Sequence, residues 1–217
     1  NNSIYHNNFA NTIDQAYTSD SVNFWDDDYP SGGNYWSDYD GSDSLYGGPY
    51  ENETGVDGIG DEPYVIDDNN VDRYPLMGPI SVFDAGTWNG VAYNVHVVSN
   101  STVSAFYFNP EEGAFLRFNV TSGSGTTGFC RVTIPRTLLW VEDGWTIYVG
   151  EQLVSYTIIS DENSTYLYFS YSHSTKTVQI NGTHVIPEFP EAAFVPLFTV
   201  LTMLAVIFRK RKTLKYS

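Results

Sequence analysis

The chain has 217 residues, with 10 Lys and Arg against 26 Asp and Glu, and its net charge is −16. Such an acidic chain is a poor nucleic-acid binder, because few cations are available to neutralise phosphates. Aromatic residues make up 16% of the chain, which argues against a disordered acidic polymer. The single cysteine, Cys130, excludes an internal disulfide framework and any cysteine-rich zinc site.

Residues 1–22 begin with a segment, 1–9, that places the apolar side chains of Ile4 and Phe9 among asparagines. Asparagine tolerates left-handed turns and can stack in ladders. Short strands joined by asparagine turns are typical of a parallel β-helix, so we predict its last coil here. Because one coil cannot bury its own face, we expect its neighbouring coils to precede Asn1.

Residues 23–80 are rich in aromatic, glycine and acidic residues, which predicts a cap over the end of the helix. Three blocks stand out in order: GGNYWSDY at 32–39, DGIGD at 57–61 and DRYPLM at 72–77. Together these blocks resemble the C-terminal end of NosD-like right-handed β-helix proteins, over roughly residues 1–79. The resemblance implies kinship with carbohydrate-binding and sugar-hydrolase β-helices and with archaeal surface proteins.

Four aromatic residues of this region suit either the cap or stacking on sugar rings: Trp25, Tyr35, Trp36 and Tyr39. The sequence therefore predicts a glycan-binding surface, with surface polysaccharide or an S-layer as partner.

The acidic loops suggest calcium, which takes six to eight oxygen ligands. The predicted ligands are Asp57, Asp61, Asp67, Asp68, Asn69 and Asp72. The alternative is a set of solvated acidic turns, with Asp61 capping a loop and Asp72 paired to Arg73 or to a neighbour. Copper is not expected, because the four histidines are scattered and Met residues do not cluster.

We predict no catalytic residues in this chain. The acids of 26–28 and 38–43 could supply a general acid and base, but they lie in the cap, away from any face built by several coils. The alternative is a polysaccharide hydrolase or lyase whose catalytic coils lie upstream.

Residues 81–185 change to a pattern of short alternating runs separated by turn residues. Eight runs predict an antiparallel β-sandwich of immunoglobulin-like architecture, used as a stalk. The predicted strands are 91–97, 103–108, 115–120, 129–134, 145–149, 156–160, 165–171 and 177–180. Cys130 is expected to be a buried apolar residue, and His173 has no acid partner visible in the sequence.

The Asn-x-Ser/Thr triplet predicts glycosylation of an exposed surface, although asparagine-rich chains also make it by chance. The acceptors are Asn1, Asn52, Asn100, Asn119, Asn163 and Asn181.

The C-terminal end reverses the charge. Residues 1–191 hold 26 acids and 5 bases, a net charge of −21, and the remainder carries +5. After a proline-rich linker at 186–191, the uncharged run at 192–208 predicts a transmembrane helix. The positive-inside rule then places the tail at 209–217 in the cytoplasm and residues 1–191 outside.

The same segment resembles the archaeal PEF-type sorting signal, in which a Pro-Glu-Phe motif, an apolar helix and a basic cluster follow one another. Here the motif is Pro187, Glu188 and Phe189, and the cluster is Arg209, Lys210, Arg211 and Lys212. The resemblance implies recognition by an archaeosortase. A plain single-pass anchor is the alternative.

These features together predict an all-β protein that displays or adheres at a cell surface, or binds glycans there, and is anchored at its C-terminus. Calcium is the predicted cofactor. The membrane, a surface polysaccharide or S-layer, and an archaeosortase are the predicted partners.

Overall fold

Alternation of buried and exposed side chains governs most of the fold, because successive residues of a strand point to opposite faces. In the strand at 115–121, for example, Leu116, Phe118 and Val120 are fully buried while their neighbours are not. The computed structural model describes residues 1–10, 14–47, 52–88 and 90–186. Within these ranges every regular element is a β-strand.

The strands, in chain order, are β1 Asn8–Phe9, β2 Tyr35–Trp36, β3 Leu45–Tyr46, β4 Glu53–Thr54, β5 Tyr64–Asp67, β6 Asn70–Asp72, β7 Ile80–Trp88, β8 Val91–Ser99, β9 Thr102–Phe108, β10 Phe115–Thr121, β11 Thr127–Pro135, β12 Leu139–Trp140, β13 Thr146–Val149, β14 Gln152–Leu153, β15 Thr157–Ser160, β16 Ser164–Ser172, β17 Lys176–Asn181 and β18 His184–Val185.

Two five-stranded antiparallel sheets face each other from residue 80 onward. Sheet A has the order β15-β16-β11-β8-β7, and sheet B has the order β14-β13-β17-β10-β9. Their inward side chains form one core, to which sheet A gives Val97, Val132 and Phe169 and sheet B gives Phe118 and Ile180. The predicted antiparallel sandwich is therefore confirmed. The immunoglobulin-like assignment stays a prediction.

All eight predicted strands are present within a few residues of their expected limits. The ninth long strand, β7, was missed. Its alternation is interrupted at the β-bulge between Asp84 and Gly86, where Gly86 has a φ of 97°. A bulge adds one residue to one strand, so the period of two does not carry through the segment.

The acidic region, residues 1–79, is built from short pairings. Strands β1 and β2 pair in parallel, and two parallel bridges join Ser3 to Phe24 and Tyr35 to Leu76. Strands β3 and β4, and strands β5 and β6, form small antiparallel hairpins. These short pairings of the described residues do not show a right-handed β-helix, and the predicted last coil stays a prediction.

The acidic region packs on the outward face of sheet A. A second apolar cluster joins Ile59 and Leu76 of the acidic region to Ile80 and Val98 of the sandwich. Residues Asn1–Ile186 accordingly form one compact unit. Among the residues that the structure describes, none lies in a helix able to cross a membrane. The predicted linker, transmembrane helix and basic tail lie outside the described residues, apart from Ile186 at the start of the linker.

Candidate functional site

Two asparagine ladders tie the parallel segments of the acidic region together. In the first, the Nδ2 of Asn2 donates to the Oδ1 of Asn23 at 3.1 Å, and the Nδ2 of Asn23 donates to the Oδ1 of Asn70 at 3.2 Å. Identical side-chain amides stacked in this way satisfy each other's donors and acceptors. The ladder joins three segments that are distant in the sequence.

The second ladder runs through Asn34, which is completely buried. Its Oδ1 accepts a hydrogen bond from the Nδ2 of Asn7 at 3.1 Å, and its Nδ2 donates to the backbone oxygens of Ile4 and Trp25 at 2.8 and 2.7 Å. The last rung is Asp72, whose Oδ2 accepts from the backbone N–H of Asn34 at 2.7 Å. A buried polar residue with its donors and acceptors satisfied specifies a single arrangement of the chain around it.

The tryptophans of this region are core residues. Trp36 is 1% exposed, and its ring is stacked between Phe9 and Tyr64, with centroids 4.3 and 4.2 Å away. Its Nε1 donates to the Oδ2 of Asp72 at 2.8 Å. Trp25 is 4% exposed and donates from Nε1 to the Oδ1 of Asn70 at 3.0 Å.

The prediction that Trp25 and Trp36 stack on glycans is therefore wrong, because neither ring has a face open to a ligand. The other two predicted stacking residues are half-buried. Tyr35 packs against the Ile59–Leu76 cluster, and Tyr39 donates its hydroxyl to the backbone oxygen of Glu62 at 2.7 Å.

The six predicted calcium ligands do not share one shell. Asp57 and Asp72 are buried in separate hydrogen-bond networks. Asp61 accepts hydrogen bonds from the backbone and hydroxyl of Ser44. Within the described ranges, no group of three or more His, Cys, Asp or Glu side chains is arranged for a metal ion.

The remaining three predicted ligands, Asp67, Asp68 and Asn69, lie together at the β5–β6 turn. They line one exposed depression with Asp20. Asp67 already accepts hydrogen bonds from the backbone N–H of Asn69 at 2.8 Å and from the side chains of Asn70 and Thr18. These hydrogen bonds lower the pKa of Asp67.

The predicted pairing of Arg73 with an acid is present, but with different partners. Its guanidinium binds Asp26 and Asp28, and its Nε donates to Asp26 at 3.0 Å. Asp26 is buried and also accepts from the backbone N–H of Arg73. Two of the acids considered for catalysis are therefore held by a cation as a bridge between segments.

Arg131 is the contact that sequence reasoning missed. It lies on β11, faces away from the sandwich core and is 2% exposed. Its Nη1 donates to the backbone oxygen of Asp57 at 3.1 Å, its Nη2 donates to the backbone oxygen of Pro30, and its guanidinium lies 4.7 Å from the ring centroid of Tyr166. An alternating strand predicts which face Arg131 lies on, but not that another region covers that face.

Acids gather where Arg131 enters the acidic region. Asp57 accepts from the hydroxyl of Tyr29 at 2.9 Å, and Asp43 accepts from the backbone N–H groups of Asp57 and Gly58 at 3.1 and 2.9 Å. Burial raises the pKa of Asp57, and the charge of Arg131 opposes that shift. Burial also raises the pKa of Asp43 to about 6, although its two backbone hydrogen bonds work against the increase.

Two histidines meet at the same boundary. The rings of His6 and His96 are edge to face with centroids 5.4 Å apart, one from the acidic region and one from β8. Burial lowers the pKa of both, to about 4 for His96. No local sequence pattern predicts this pair, since the two residues are ninety positions apart.

The expected glycosylation acceptors differ in their surroundings. Asn100 is held at both ends of its amide, which donates to the backbone oxygen of Thr127 and accepts from the backbone N–H of Phe129. Asn181 donates from Nδ2 to the backbone oxygen of Thr146, and Asn119 accepts from the hydroxyl of Thr177. Asn1, Asn52 and Asn163 are exposed.

Cys130 is buried, as expected, and burial raises the pKa of its thiol to about 12. His173 contacts the hydroxyl of Thr126 through Nδ1 at 2.6 Å and the amide oxygen of Asn100 through Nε2 at 3.3 Å. The sorting motif at 187–189 and the basic cluster at 209–212 lie outside the described residues. Comparisons with protein-family models, with curated proteins and with solved structures find no match to this chain.

Proposed function

We propose that this chain is the non-catalytic, membrane-proximal part of a cell-surface protein, which displays or attaches an upstream region. The observation that carries the proposal is the use of the polar residues of the acidic region. Asn34, Asp26, Asp57 and Asp72 are buried and bonded to the chain itself. Polar side chains that are buried and bonded within the chain are not available to a substrate, so they suit a rigid connecting element better than a reactive cleft.

We infer further that the three laddered segments, 2–7, 23–34 and 70–72, are end coils of a parallel solenoid, and that the rest of residues 23–80 forms its cap. The two ladders support this inference, since each rung is hydrogen-bonded to the next. The top rungs are also open: the Oδ1 atoms of Asn2 and Asn7 accept no hydrogen bond from any described residue. A further coil with asparagines in register would add a rung to each ladder.

The sandwich is the proposed stalk between this coil stack and the membrane, and residues 187–217 are the proposed anchor or sorting signal. Attachment through Arg131 and through the Ile59–Leu76 cluster would make the stack and the sandwich move as one body. Such a body would hold an upstream domain at a fixed distance from the surface.

Protease treatment of intact cells that produce the protein tests the location. We expect the acidic region and the sandwich to be cut by protease added outside, and the uncut chain to enter the detergent phase on phase partition. Protection in intact cells, or recovery of the uncut chain in the aqueous phase, would contradict an outside location with a membrane anchor. Mass spectrometry of the native C-terminus distinguishes a plain anchor, which ends at Ser217, from a processed sorting signal.

The alternative is a polysaccharide hydrolase or lyase with catalytic coils upstream. The buried state of Asp26, bound to Arg73, disfavours a catalytic role for that acid. Incubation of the native protein, isolated from cells together with any region upstream of Asn1, with acidic and neutral polysaccharides distinguishes the two functions. Release of reducing ends or of unsaturated products would favour the enzyme, and intact polysaccharides would favour display.

Calcium is proposed only for the β5–β6 turn, where Asp67, Asp68 and Asn69 lie with Asp20. Oxygen ligands from several carboxylates are the kind that calcium prefers. The ion would join the turn at 67–70 to the segment at 18–23, which the first asparagine ladder already connects through Asn23 and Asn70.

A further inference from the structure

The two outward faces of the sandwich differ in what covers them. The outward face of sheet A is covered by the acidic region through Arg131, Val98 and the rings of Phe129 and Tyr168. No described segment packs in this way on the outward face of sheet B. That face carries one continuous row of side chains across all five strands.

The row follows from the strand register. Arg117 of β10 lies directly opposite Tyr107 of β9 and Gln179 of β17. Tyr148 of β13 lies opposite Gln179, and Leu153 of β14 lies opposite Tyr148. At about 4.8 Å between neighbouring strands, these five positions span roughly 19 Å.

Aromatic and apolar side chains lie at both ends of this row. Tyr148 is 38% exposed and Leu153 is 66% exposed. At the other end of the row, the rings of Tyr107 and Phe115 stack with their centroids 6.4 Å apart. Flat apolar ring faces beside amide groups form a surface on which sugar rings can stack and find hydrogen-bond donors.

Arg117 adds a positive charge that forms no ion pair within the described part of the chain. Its guanidinium carbon lies 5.1 Å from the ring centroid of Tyr107 and 5.2 Å from that of Phe115. None of its nitrogens forms an ion pair or a hydrogen bond with another described residue. Aromatic packing holds the planar guanidinium in place, and the fork of N–H groups on a guanidinium matches a carboxylate.

The charge of the face fits an anionic ligand. None of the five strands of sheet B contains an Asp or Glu, although the chain has 26 of them. One acid reaches the end of the row: Glu112, in the loop between β9 and β10, accepts a hydrogen bond from the hydroxyl of Tyr107. The strands of sheet B themselves are free of acids in an otherwise acidic protein.

We propose that the outward face of sheet B binds a polysaccharide whose sugars carry carboxylate groups. Arg117, packed against the rings of Tyr107 and Phe115, binds a carboxylate, and Tyr148 supports a sugar ring. The Nε2 of Gln179 already donates one hydrogen bond to Asn181 at 2.7 Å, and its second N–H donates to the sugar. The proposal places glycan binding on the sandwich rather than on the cap, and it is independent of where the chain is anchored.

The test uses the full chain in mild detergent, made in a host without N-glycosylation because Asn119 and Asn181 share this sheet. Binding to polygalacturonate is measured by affinity electrophoresis at physiological ionic strength, with uncharged dextran as the comparison. The variants are Arg117→Gln and Tyr148→Ala. Arg136→Gln is the matched control, because Arg136 is also an exposed arginine but lies after β11 of sheet A.

We expect polygalacturonate, and not dextran, to retard the protein. Arg117→Gln should weaken binding at least about tenfold, since it removes a charge-assisted hydrogen-bond pair. Tyr148→Ala should weaken binding about fivefold through loss of ring contact, and Arg136→Gln should leave it unchanged. Absence of polygalacturonate binding, equal binding to dextran, or equal loss in the Arg117 and Arg136 variants would overturn the proposal. If Arg117→Gln fails to give the native circular dichroism spectrum, Tyr148→Ala decides: undiminished binding to polygalacturonate overturns the proposal.

Discussion

The Nη1 of Arg131 lies 3.1 Å from the backbone oxygen of Asp57, and this contact joins the sandwich to the acidic region across 74 positions of sequence. A guanidinium that donates to two backbone oxygens gives these buried acceptors a partner. The two carbonyl dipoles in turn stabilise its positive charge. The same side chain packs on Tyr166. Arg131 therefore supports the acidic region from within sheet A.

Replacing Arg131 with Met should weaken the attachment of the acidic region to the sandwich. The backbone oxygens of Asp57 and Pro30 would lose their donor, and we expect a loss of about 2–4 kcal/mol in the free energy of unfolding. Urea titration measures the loss, and limited proteolysis should show the acidic region cut before the sandwich. Arg136→Met, at an exposed position, is the control and should change stability little. An unchanged urea midpoint for Arg131→Met would mean that the two parts are held by other contacts.

Gly33 is a position where no side chain fits. A Cβ there would lie 1.9 Å from the Oδ1 of Asp72, the residue that closes the second asparagine ladder. We expect Gly33→Ala to cost about 3 kcal/mol or more, because Asp72 must give up buried hydrogen bonds to make room. Thermal unfolding measures this cost. Gly123→Ala, with nothing within 4 Å of its Cβ, should be nearly neutral, and equal effects of the two substitutions would contradict the close approach at Gly33.

Trp36→Ala tests the assignment of the tryptophan to the core. Loss of a ring stacked between Phe9 and Tyr64, together with its hydrogen bond to Asp72, should destabilise the protein by about 3–5 kcal/mol. Chemical denaturation measures the change. The control is Tyr17→Ala, at a residue that is 85% exposed. A Trp36→Ala protein of normal stability would return the residue to the candidate glycan-binding surface.

His96 should make the protein sensitive to acid. Burial is the main cause that lowers the pKa of His96 to about 4, and the neighbouring His6 adds to it. The folded state therefore takes up its proton at lower pH than the unfolded state, whose histidines titrate near 6.5. The stabilisation is fully present above about pH 6.5 and is lost as pH falls toward 4, by on the order of 2 kcal/mol.

The comparison of wild type with His96→Gln isolates this contribution. Other groups work the opposite way: the pKa of Asp43 is raised to about 6, so its effect on stability is lost as pH rises. Because Asp43 is present in both proteins, its effect cancels in the difference. We expect the stability difference between the two proteins to shrink between pH 7 and pH 4. A difference independent of pH would show that the His96 imidazole does not titrate differently on folding.

Removal of calcium tests the proposal for the β5–β6 turn. We expect the melting temperature of the full chain to fall by a few degrees in excess chelator and to recover on addition of calcium. Asp68→Asn should reduce the shift, since it removes one carboxylate beside Asp67. Identical melting curves with and without chelator would contradict calcium binding at this turn.

Much of the sandwich was predictable because its evidence is local. The alternation in Phe115–Thr121 or Ser164–Ser172 follows from the geometry of a single strand, so no knowledge of partners is needed. The strand Ile80–Trp88 was not predicted, because its bulge breaks that local period.

The site was less predictable, because its residues act through distant partners. Trp36, Asp72 and Asn34 could be identified as unusual in the sequence, but their roles depend on segments more than thirty positions apart meeting in one place. The carboxylates that suggested one calcium shell were separated in the same way.

By itself, the sequence determined the β-rich class, the strands of the sandwich and the concentration of acids in the first 80 residues. Only the tertiary structure decided that Trp25 and Trp36 turn inward, that Arg131 is buried beneath the acidic region, and that Arg117 lies among acid-free strands without an ion pair to any described residue. The physical reason is that periodicity reports which face of a strand a residue occupies. What covers that face depends on contacts between distant parts of the chain, and those contacts set burial, charge pairing and availability to a ligand.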